Sequence, residues 1–295
     1  MLFSVIIPFY NSGSLVKEVL DSVQSQTERD FELIAVDDGS EDDTWDRLQA
    51  HTSSPSCLRI SNSGPAIARN EAAKLAKGTY LAFLDSDDLW FPFTLALYKS
   101  VITNHANPGV VTCKPVLFES DQDLEEPDNI TQEIEAFSTY YDSFDDWRWH
   151  GVSSFVIKRA AFERVGGFCS KRMNAEDADL MMRLGAEPNF VHIRHPAPFA
   201  YRRHKGNLSK NLQMNLSGMR HLVDTERLGQ YPGGKQSVRS RRKIITRHLR
   251  PTILNGLNGG CRQDVWPLFW KSFFWHVSQG RLRFLAFCLL KFVLR

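Results

Sequence analysis

A chain of 295 residues with 42% hydrophobic and 24% charged residues can bury a full core, which excludes a disordered or fibrous protein. The formal net charge of +2 conceals two opposed regions: residues 1–200 carry 17 Lys+Arg against 31 Asp+Glu, and residues 201–295 carry 19 against 3. Five scattered cysteines without a C-x-x-C pair argue against a disulfide framework or a structural zinc site, and no stretch of about 18 apolar residues predicts a helix that spans a bilayer.

The N-terminal segment Met1-Leu2-Phe3-Ser4-Val5 has neither the basic nor the long apolar part of a secretory signal, and a reducing compartment is expected. Phe3 to Pro8 is β-rich and ends in proline, as a buried parallel strand does. Ser12 or Ser14 is positioned to cap a helix whose apolar face is Leu15, Val16, Val19, Leu20 and Val23. Phe31 to Val36 is a second strand running into Asp37-Asp38-Gly39-Ser40, and Asp43-Thr44 opens a second helix. A short third strand at Leu58-Arg59-Ile60 precedes a helix with Pro65 in its first turn, where a missing N–H costs nothing.

The fourth strand, Tyr80 to Leu84, runs straight into Asp85-Ser86-Asp87-Asp88. Four strands alternate with three helices in the first 85 residues, which predicts an α/β fold with a mostly parallel sheet flanked by helices. Ligands of such sheets bind at the carboxyl ends of strands, so Tyr10-Asn11, Asp37-Asp38 and Asp85 to Asp88 should meet on one edge. Closely spaced carboxylates suit a hard cation, Mg²⁺ or Mn²⁺, shared with substrate phosphates; they also suit a plain acidic turn.

Asp121 to Asp146 holds ten acids and little periodicity, and reads as an exposed excursion. A strand is expected at residues 151–157, then the turn Gly166-Gly167-Phe168. Asn174 is placed to cap a helix beginning Ala175-Glu176-Asp177, where first-turn acids also have the helix dipole as an explanation. Phe190 to Ile193 reads as a strand, and Tyr201-Arg202-Arg203-His204 begins the basic region. From about residue 212 the pattern is helical, and 265–295 mixes Trp and Phe with Lys and Arg, as an amphipathic segment lying on an anionic membrane does. Packing of these aromatics on the body or on a second subunit is the alternative.

In their order, Ser4-Val5-Ile6-Ile7-Pro8-Phe9-Tyr10-Asn11, Ser25-Gln26-Thr27, Asp37-Asp38-Gly39-Ser40, Ala68-Arg69-Asn70, Phe83-Leu84-Asp85-Ser86-Asp87-Asp88, Gly166-Gly167-Phe168 and Glu176-Asp177 closely resemble the family 2 glycosyltransferases, over roughly residues 2–210. The resemblance implies a GT-A nucleotide-sugar fold over 1–210, followed by a helical, basic extension over 211–295. It implies that Pro8, Tyr10 and Asn11 line a nucleoside pocket, that Asp38 with Asp37 contacts the base, and that Arg69 reaches the nucleotide. Asp85 and Ser86 would lie beside the ribose, with Asp87, Asp88 and His204 on a Mn²⁺ or Mg²⁺ ion. Asp177 would be the general base and Glu176 would hold the acceptor. Single displacement with inversion needs the base across the donor sugar from Asp87.

The implied substrates are a nucleotide-sugar donor, with UDP-sugar foremost, and a hydroxyl of a glycan or lipid-linked acceptor in cell-surface polysaccharide synthesis. The expected place is cytoplasmic, peripheral on the inner membrane, with no nucleic-acid partner. Two rivals are a sugar nucleotidyltransferase and a non-catalytic scaffold of the same fold. The first should carry a Gly-rich basic loop where Phe9-Tyr10-Asn11-Ser12 stands, and the second predicts a broken acid set. Residues 229–235 spell G-x-x-x-x-G-K but lack the following Ser or Thr, so no phosphate loop is expected there.

Overall fold

The computed structural model describes residues 1–120, 124–125, 127–128, 131–204 and 211–293. They form two compact units. One comprises the described residues of Met1–Thr139, Asp146–Ser170 and Glu187–Lys205; the other comprises those of Tyr140–Asp145, Lys171–Ala186 and Gly206–Arg295. The sequence reading drew its boundary at 210. By compactness, the Glu176-Asp177 segment instead belongs with the C-terminal helices.

In the first unit, β1 (Phe3–Phe9) is buried throughout and pairs in parallel with β2 (Phe31–Asp37) and β4 (Tyr80–Phe83). β2 continues in parallel to β3 (Ser56–Arg59). The other flank holds β9 (Phe155–Lys158), β6 (Val110–Cys113), β10 (Phe190–His195) and β8 (Glu133–Phe137), giving the order β3-β2-β1-β4-β9-β6-β10-β8. β9 is antiparallel to both its neighbours, and β8 is antiparallel to β10. The sheet is therefore mixed, with six strands pointing one way and two the other.

The helices α1 (Gly13–Gln24), α2 (Thr44–Ala50), α3 (Pro65–Leu75), α4 (Thr94–Asn104) and α5 (Arg159–Arg164) complete this unit. Val16, Val19, Leu20 and Val23 of α1 share one hydrophobic core with Val5, Ile7 and Phe9 of β1 and Ala82 and Leu84 at the end of β4. Alternate residues of one strand thus meet the 3.6-residue stripe of a helix. Burial at this scale, about 25 cal/mol per Å² of apolar surface, holds the strand ends in place. Phe9 lies opposite Asp37 and Ile6 opposite Phe83, so the chain leaves β1, β2 and β4 on one edge. A small second sheet, β5 (Leu89–Trp90), β11 (Phe199–Arg202) and β7 (Val116–Phe118), carries the 201–204 segment back to that edge.

In the second unit, α6 (Glu176–Arg183) is accompanied by α7 (Leu212–Arg227), α8 (Val238–Asn258), α9 (Arg262–Val277) and α10 (Leu282–Val293). α7 and α8 are tied by a buried ion pair, Arg241 Nε to Glu226 Oε2 at 2.6 Å. Arg241 also donates to the carbonyls of Pro232 and Gly234, so the G-x-x-x-x-G-K stretch turns carbonyl oxygens onto an arginine. It follows the helix α7 and no strand, as expected of a chance match.

Three local expectations are corrected. The acid-rich stretch 121–146 is not an unstructured excursion throughout, because Glu133–Phe137 is an edge strand; residues 121–123, 126 and 129–130 lie outside the described residues. Residues 152–154 form a short 3₁₀ turn ahead of β9 rather than the start of a strand. Asn174 does not cap α6: the cap position is Ala175, at φ +93°, and Asn174 bonds elsewhere.

Candidate active site

The edge of the sheet is organised by hydrogen bonds that close its loops on one another. Gly39 turns at φ +74°, where a Cβ would meet Asn62 N at 2.7 Å, and this lets Ser40 fold back. Ser40 N–H donates to Asp37 Oδ1, and Ser40 Oγ accepts the N–H of Asn11, itself at φ +47°. Asn11 Oδ1 in turn accepts the N–H of Glu41 at 2.8 Å. Asp37 is 0% exposed and has Arg59 Nε 3.0 Å from Oδ2, so its carboxylate braces this turn. Asp38 accepts the N–H groups of Ser63 and Gly64, at 2.7 and 2.8 Å, ahead of α3. Pro8 is buried within β1, whereas Tyr10, 46% exposed, and Asn11 stand at the surface.

α3 connects this edge to the glycine turn. Asn70 Nδ2 donates to Phe168 O and Asn70 Oδ1 accepts the Phe168 N–H, both at 2.8 Å. Gly167, at φ +71°, comes so near that a Cβ would lie 2.5 Å from Asn70 Oδ1. The turn thereby seats the Phe168 ring edge-on to Phe83, 5.3 Å between centroids, and 5.4 Å from the Arg69 guanidinium. Arg69, nearly buried, reaches Asp85 Oδ1 at 2.5 Å. This explains physically why Ala68-Arg69-Asn70 and Gly166-Gly167-Phe168 occur together: one pair of backbone bonds sets the arginine that faces the acids.

The three acids after β4 have different surroundings. Asp87 Oδ2 lies 2.8 Å from His204 Nε2, and its carboxyl is pushed up by burial and by the neighbouring Asp85 charge, against the pull of His204. Asp88 is 1% exposed; Ser153 Oγ donates to its Oδ2 at 2.6 Å and the Arg202 N–H to its Oδ1 at 3.1 Å. Burial first, and then Asp87 and Asp85, raise its carboxyl well above the usual range. Asp88 thus braces the loop, accepting from Ser153 and from the Arg202 N–H on its two carboxylate oxygens. Ser86 Oγ meets Ser12 Oγ at 3.2 Å and so joins the β4 loop to the β1 loop.

Ser153 and Arg202 are the residues that sequence reasoning missed. Ser153 Oγ accepts the Asp85 N–H at 3.0 Å while donating to Asp88. Arg202 donates to Asp87 O and pairs with Glu18 at 2.6 Å, over the Phe118 ring. Only the Tyr201-Arg202-Arg203-His204 spacing pointed near Arg202, and nothing marked Ser153 within a stretch read as strand.

Asp85 and Asp87 with the His204 imidazole make an oxygen-and-nitrogen donor set, in which burial and the Asp85 charge push the Asp87 carboxyl up. A divalent cation offsets that charge, and Mn²⁺ or Mg²⁺ suits such ligands. In the second unit, Glu176 and Asp177 lie half-buried in the first turn of α6, with the Ala178 N–H donating to Asp177 Oδ1 at 2.6 Å.

The sequence model of Glycosyl transferase family 2 matches residues 4–166, more than half of the chain. The chain belongs to glycosyl transferase family 2. The match spans the loops after β1, β2 and β4, ends at Gly166 and stops short of Glu176-Asp177. A Haemophilus influenzae uncharacterized glycosyltransferase is 28% identical over 207 residues, 68% of this chain and 67% of that protein. The Escherichia coli UDP-Glc:alpha-D-GlcNAc-diphosphoundecaprenol beta-1,3-glucosyltransferase WfaP is 46% identical over 92 residues, 30% of this chain and 36% of WfaP. Among solved structures, S. aureus TarS in complex with UDP-GlcNAc superposes with a TM-score of 0.70 at 20% identity, over 92% of this chain and 79% of that one. The mannosyltransferase PcManGT from Pyrobaculum calidifontis, in complex with GDP-Man and Mn²⁺, gives 0.52 at 18% identity, over 99% and 87%. These structural likenesses establish the GT-A fold for this glycosyltransferase.

Proposed function

We propose that this enzyme transfers a sugar from a nucleotide-diphosphate donor, a UDP-sugar foremost, to a hydroxyl of a glycan or lipid-linked acceptor in surface-polysaccharide synthesis, with inversion. The observation that carries the reading is the paired edge acids, Asp85 held by Arg69 and Asp87 by His204, on a family 2 chain. The donor and acceptor classes follow the printed substrates of WfaP and the TarS complex.

Asp38, Tyr10 and Asn11 receive the nucleoside, and Ser86 and Asp85 lie toward the ribose. Asp87, Asp85 and His204 would hold a Mn²⁺ or Mg²⁺ ion, which supplies charge to offset that growing on the leaving diphosphate. Arg69 keeps Asp85 in place. Asp177 takes the proton of the acceptor hydroxyl as its oxygen bonds the anomeric carbon and the carbon–phosphate oxygen bond breaks; Glu176 holds the acceptor. Asp177→Asn should lower transfer from UDP-sugars by about 10²–10⁴-fold and leave UDP affinity within twofold. Retained transfer would dismiss Asp177 as the base.

The C-terminal helices supply the membrane contact in this reading. Trp266, Trp270 and Phe274 of α9, the last 77% exposed, recur at helical spacing, and Leu282, Phe287 and Leu290 are exposed on α10. Among the described residues no helix is long and apolar enough to cross a membrane, so these side chains would dip into one leaflet, on the cytoplasmic face of the inner membrane. Trp270→Glu with Phe274→Glu should abolish flotation with phosphatidylglycerol vesicles. Flotation unchanged in that variant would reject the contact.

A further inference from the structure

The helix that follows the 201–204 segment carries a glycine in its interior, where glycine costs about 1 kcal/mol relative to alanine. Gly218 of α7 has a physical reason to be there: a Cβ at that position would lie 1.5 Å from the carbonyl oxygen of Asn174 and 2.7 Å from its carbonyl carbon. Those are backbone atoms, so no rotamer change relieves the clash. The residue they belong to stands two positions before Glu176 and three before Asp177.

The same turn is fixed to α7 at two further points. Asn174 N–H donates to Met214 O at 3.2 Å, and Asn174 Nδ2 donates to Asn215 Oδ1 at 2.7 Å. Ala175 then sits at φ +93°, in the left-handed region that a residue with a Cβ rarely adopts. Backbone strain of this kind, of order 1–3 kcal/mol, persists where the surroundings impose it. On the far side of the acids, Asp179 is buried, and its Oδ1 accepts from His221 Nε2 of α7 and from Tyr231 Oη, both at 3.0 Å. Arg183 Nε donates to its Oδ2 at 2.8 Å. Burial alone would raise the Asp179 carboxyl; the His221 and Arg183 bonds hold it below the usual value. His221 is given a defined tautomer, with Nε2–H on Asp179 and Nδ1 facing Lys171 Nζ at 3.3 Å.

We infer that α7 is the positioning element of the acceptor-side acids: Gly218 seats the 174–175 turn, His221 and Tyr231 clamp Asp179, and the two grips fix Glu176 and Asp177 between them. The inference rests on the reading of Asp177 as general base and adds residues that touch no substrate. It makes the 211–231 segment part of the catalytic machinery rather than an appendage of it. Turning the first turn of α6 by as little as 1 Å costs a base about 10²-fold in rate, because proton transfer tolerates little misplacement.

The test uses the full chain and compares Gly218→Ala, His221→Ala and His221→Gln with Asp177→Asn. Gly256→Ala serves as the stability control. Its Cβ would press on Val265 Cγ2 at 2.4 Å, a side-chain contact between α8 and α9, and would reach α7 only in ordinary contact with the Leu216 side chain at 3.9 Å. Measured for each are kcat and donor KM for UDP-sugar transfer, UDP affinity by calorimetry, and Tm. Gly218→Ala and His221→Ala should lose at least tenfold in kcat with donor KM and UDP affinity within twofold. His221→Gln, which keeps a donor for Asp179, should recover most of the rate, and Gly256→Ala should lower Tm without lowering kcat. Unchanged kcat in folded Gly218→Ala and His221→Ala, or a kcat that merely follows Tm across all variants including Gly256→Ala, would overturn the inference while a dead Asp177→Asn left the base assignment standing. Full transfer by Asp177→Asn would remove that assignment and the inference together.

Discussion

The acids after β4 are surrounded by first-unit side chains that answer them directly: Arg69 on Asp85, His204 on Asp87, and Ser153 with the Arg202 N–H on Asp88. Glu176 and Asp177 of the second unit are placed through the residues that flank them, Asn174 on α7 before and Asp179 on His221 and Tyr231 after. One set is tuned by groups that touch the acids themselves, and the other is also placed by grips on the residues before and after it. In the first case a substitution should change ligand affinity, and in the second it should change rate at constant affinity.

The largest effect on stability is expected in the second unit. Glu226→Ala leaves Arg241 buried without its carboxylate, and should cost about 3–5 kcal/mol in denaturant unfolding. A loss below 1 kcal/mol would mean that the helices do not depend on that pair. The matching test in the first unit is Ser153→Ala, which removes a hydroxyl donor from the buried Asp88 and should cost about 1–3 kcal/mol. It should also weaken UDP binding, since Ser153 Oγ holds the Asp85 N–H as well. Unaltered UDP affinity would separate the brace from the donor site.

The smallest and broadest effect is on pH dependence, and here the two units should behave alike. His192 in β10 and His276 in α9 are each 0% exposed and pushed down to about 3, by burial first and then by nearby arginines. A neutral histidine in the fold that protonates near 6.5 when unfolded contributes stability above pH 6.5 and loses it progressively as pH falls toward 3. His276→Gln should flatten the decline in Tm between pH 6.5 and 4. An unaltered slope would point to other groups.

How much of this was legible in the sequence follows from how local each feature is. The strand ends and their acids could be read because alternation and abrupt polarity change are properties of five to ten consecutive residues, as in Tyr80 to Asp88. β8 was hidden because Glu-Ile-Glu-Ala-Phe is a short, half-exposed edge strand inside an acid-rich stretch. Asp37, Asp38 and Asp88 are buried carboxylates that accept N–H and O–H groups of neighbouring loops, which residue type alone cannot tell from a carboxylate that faces a crevice. Asn174 has the composition of a cap, yet α7 captures it from 40 residues downstream. Gly218, the feature that does most to seat Glu176 and Asp177, is a lone glycine in a helical pattern; only the approaching backbone of Asn174 gives it meaning.

The most direct test of a nucleotide-sugar site at the sheet edge is calorimetric titration of UDP, GDP and dTDP, each with and without Mn²⁺, into the wild type and Asp87→Ala. UDP should bind in the presence of Mn²⁺, more weakly without it, and at least tenfold more weakly to Asp87→Ala. Absence of binding by any of the three, or UDP binding that neither Mn²⁺ nor Asp87→Ala alters, would contradict it.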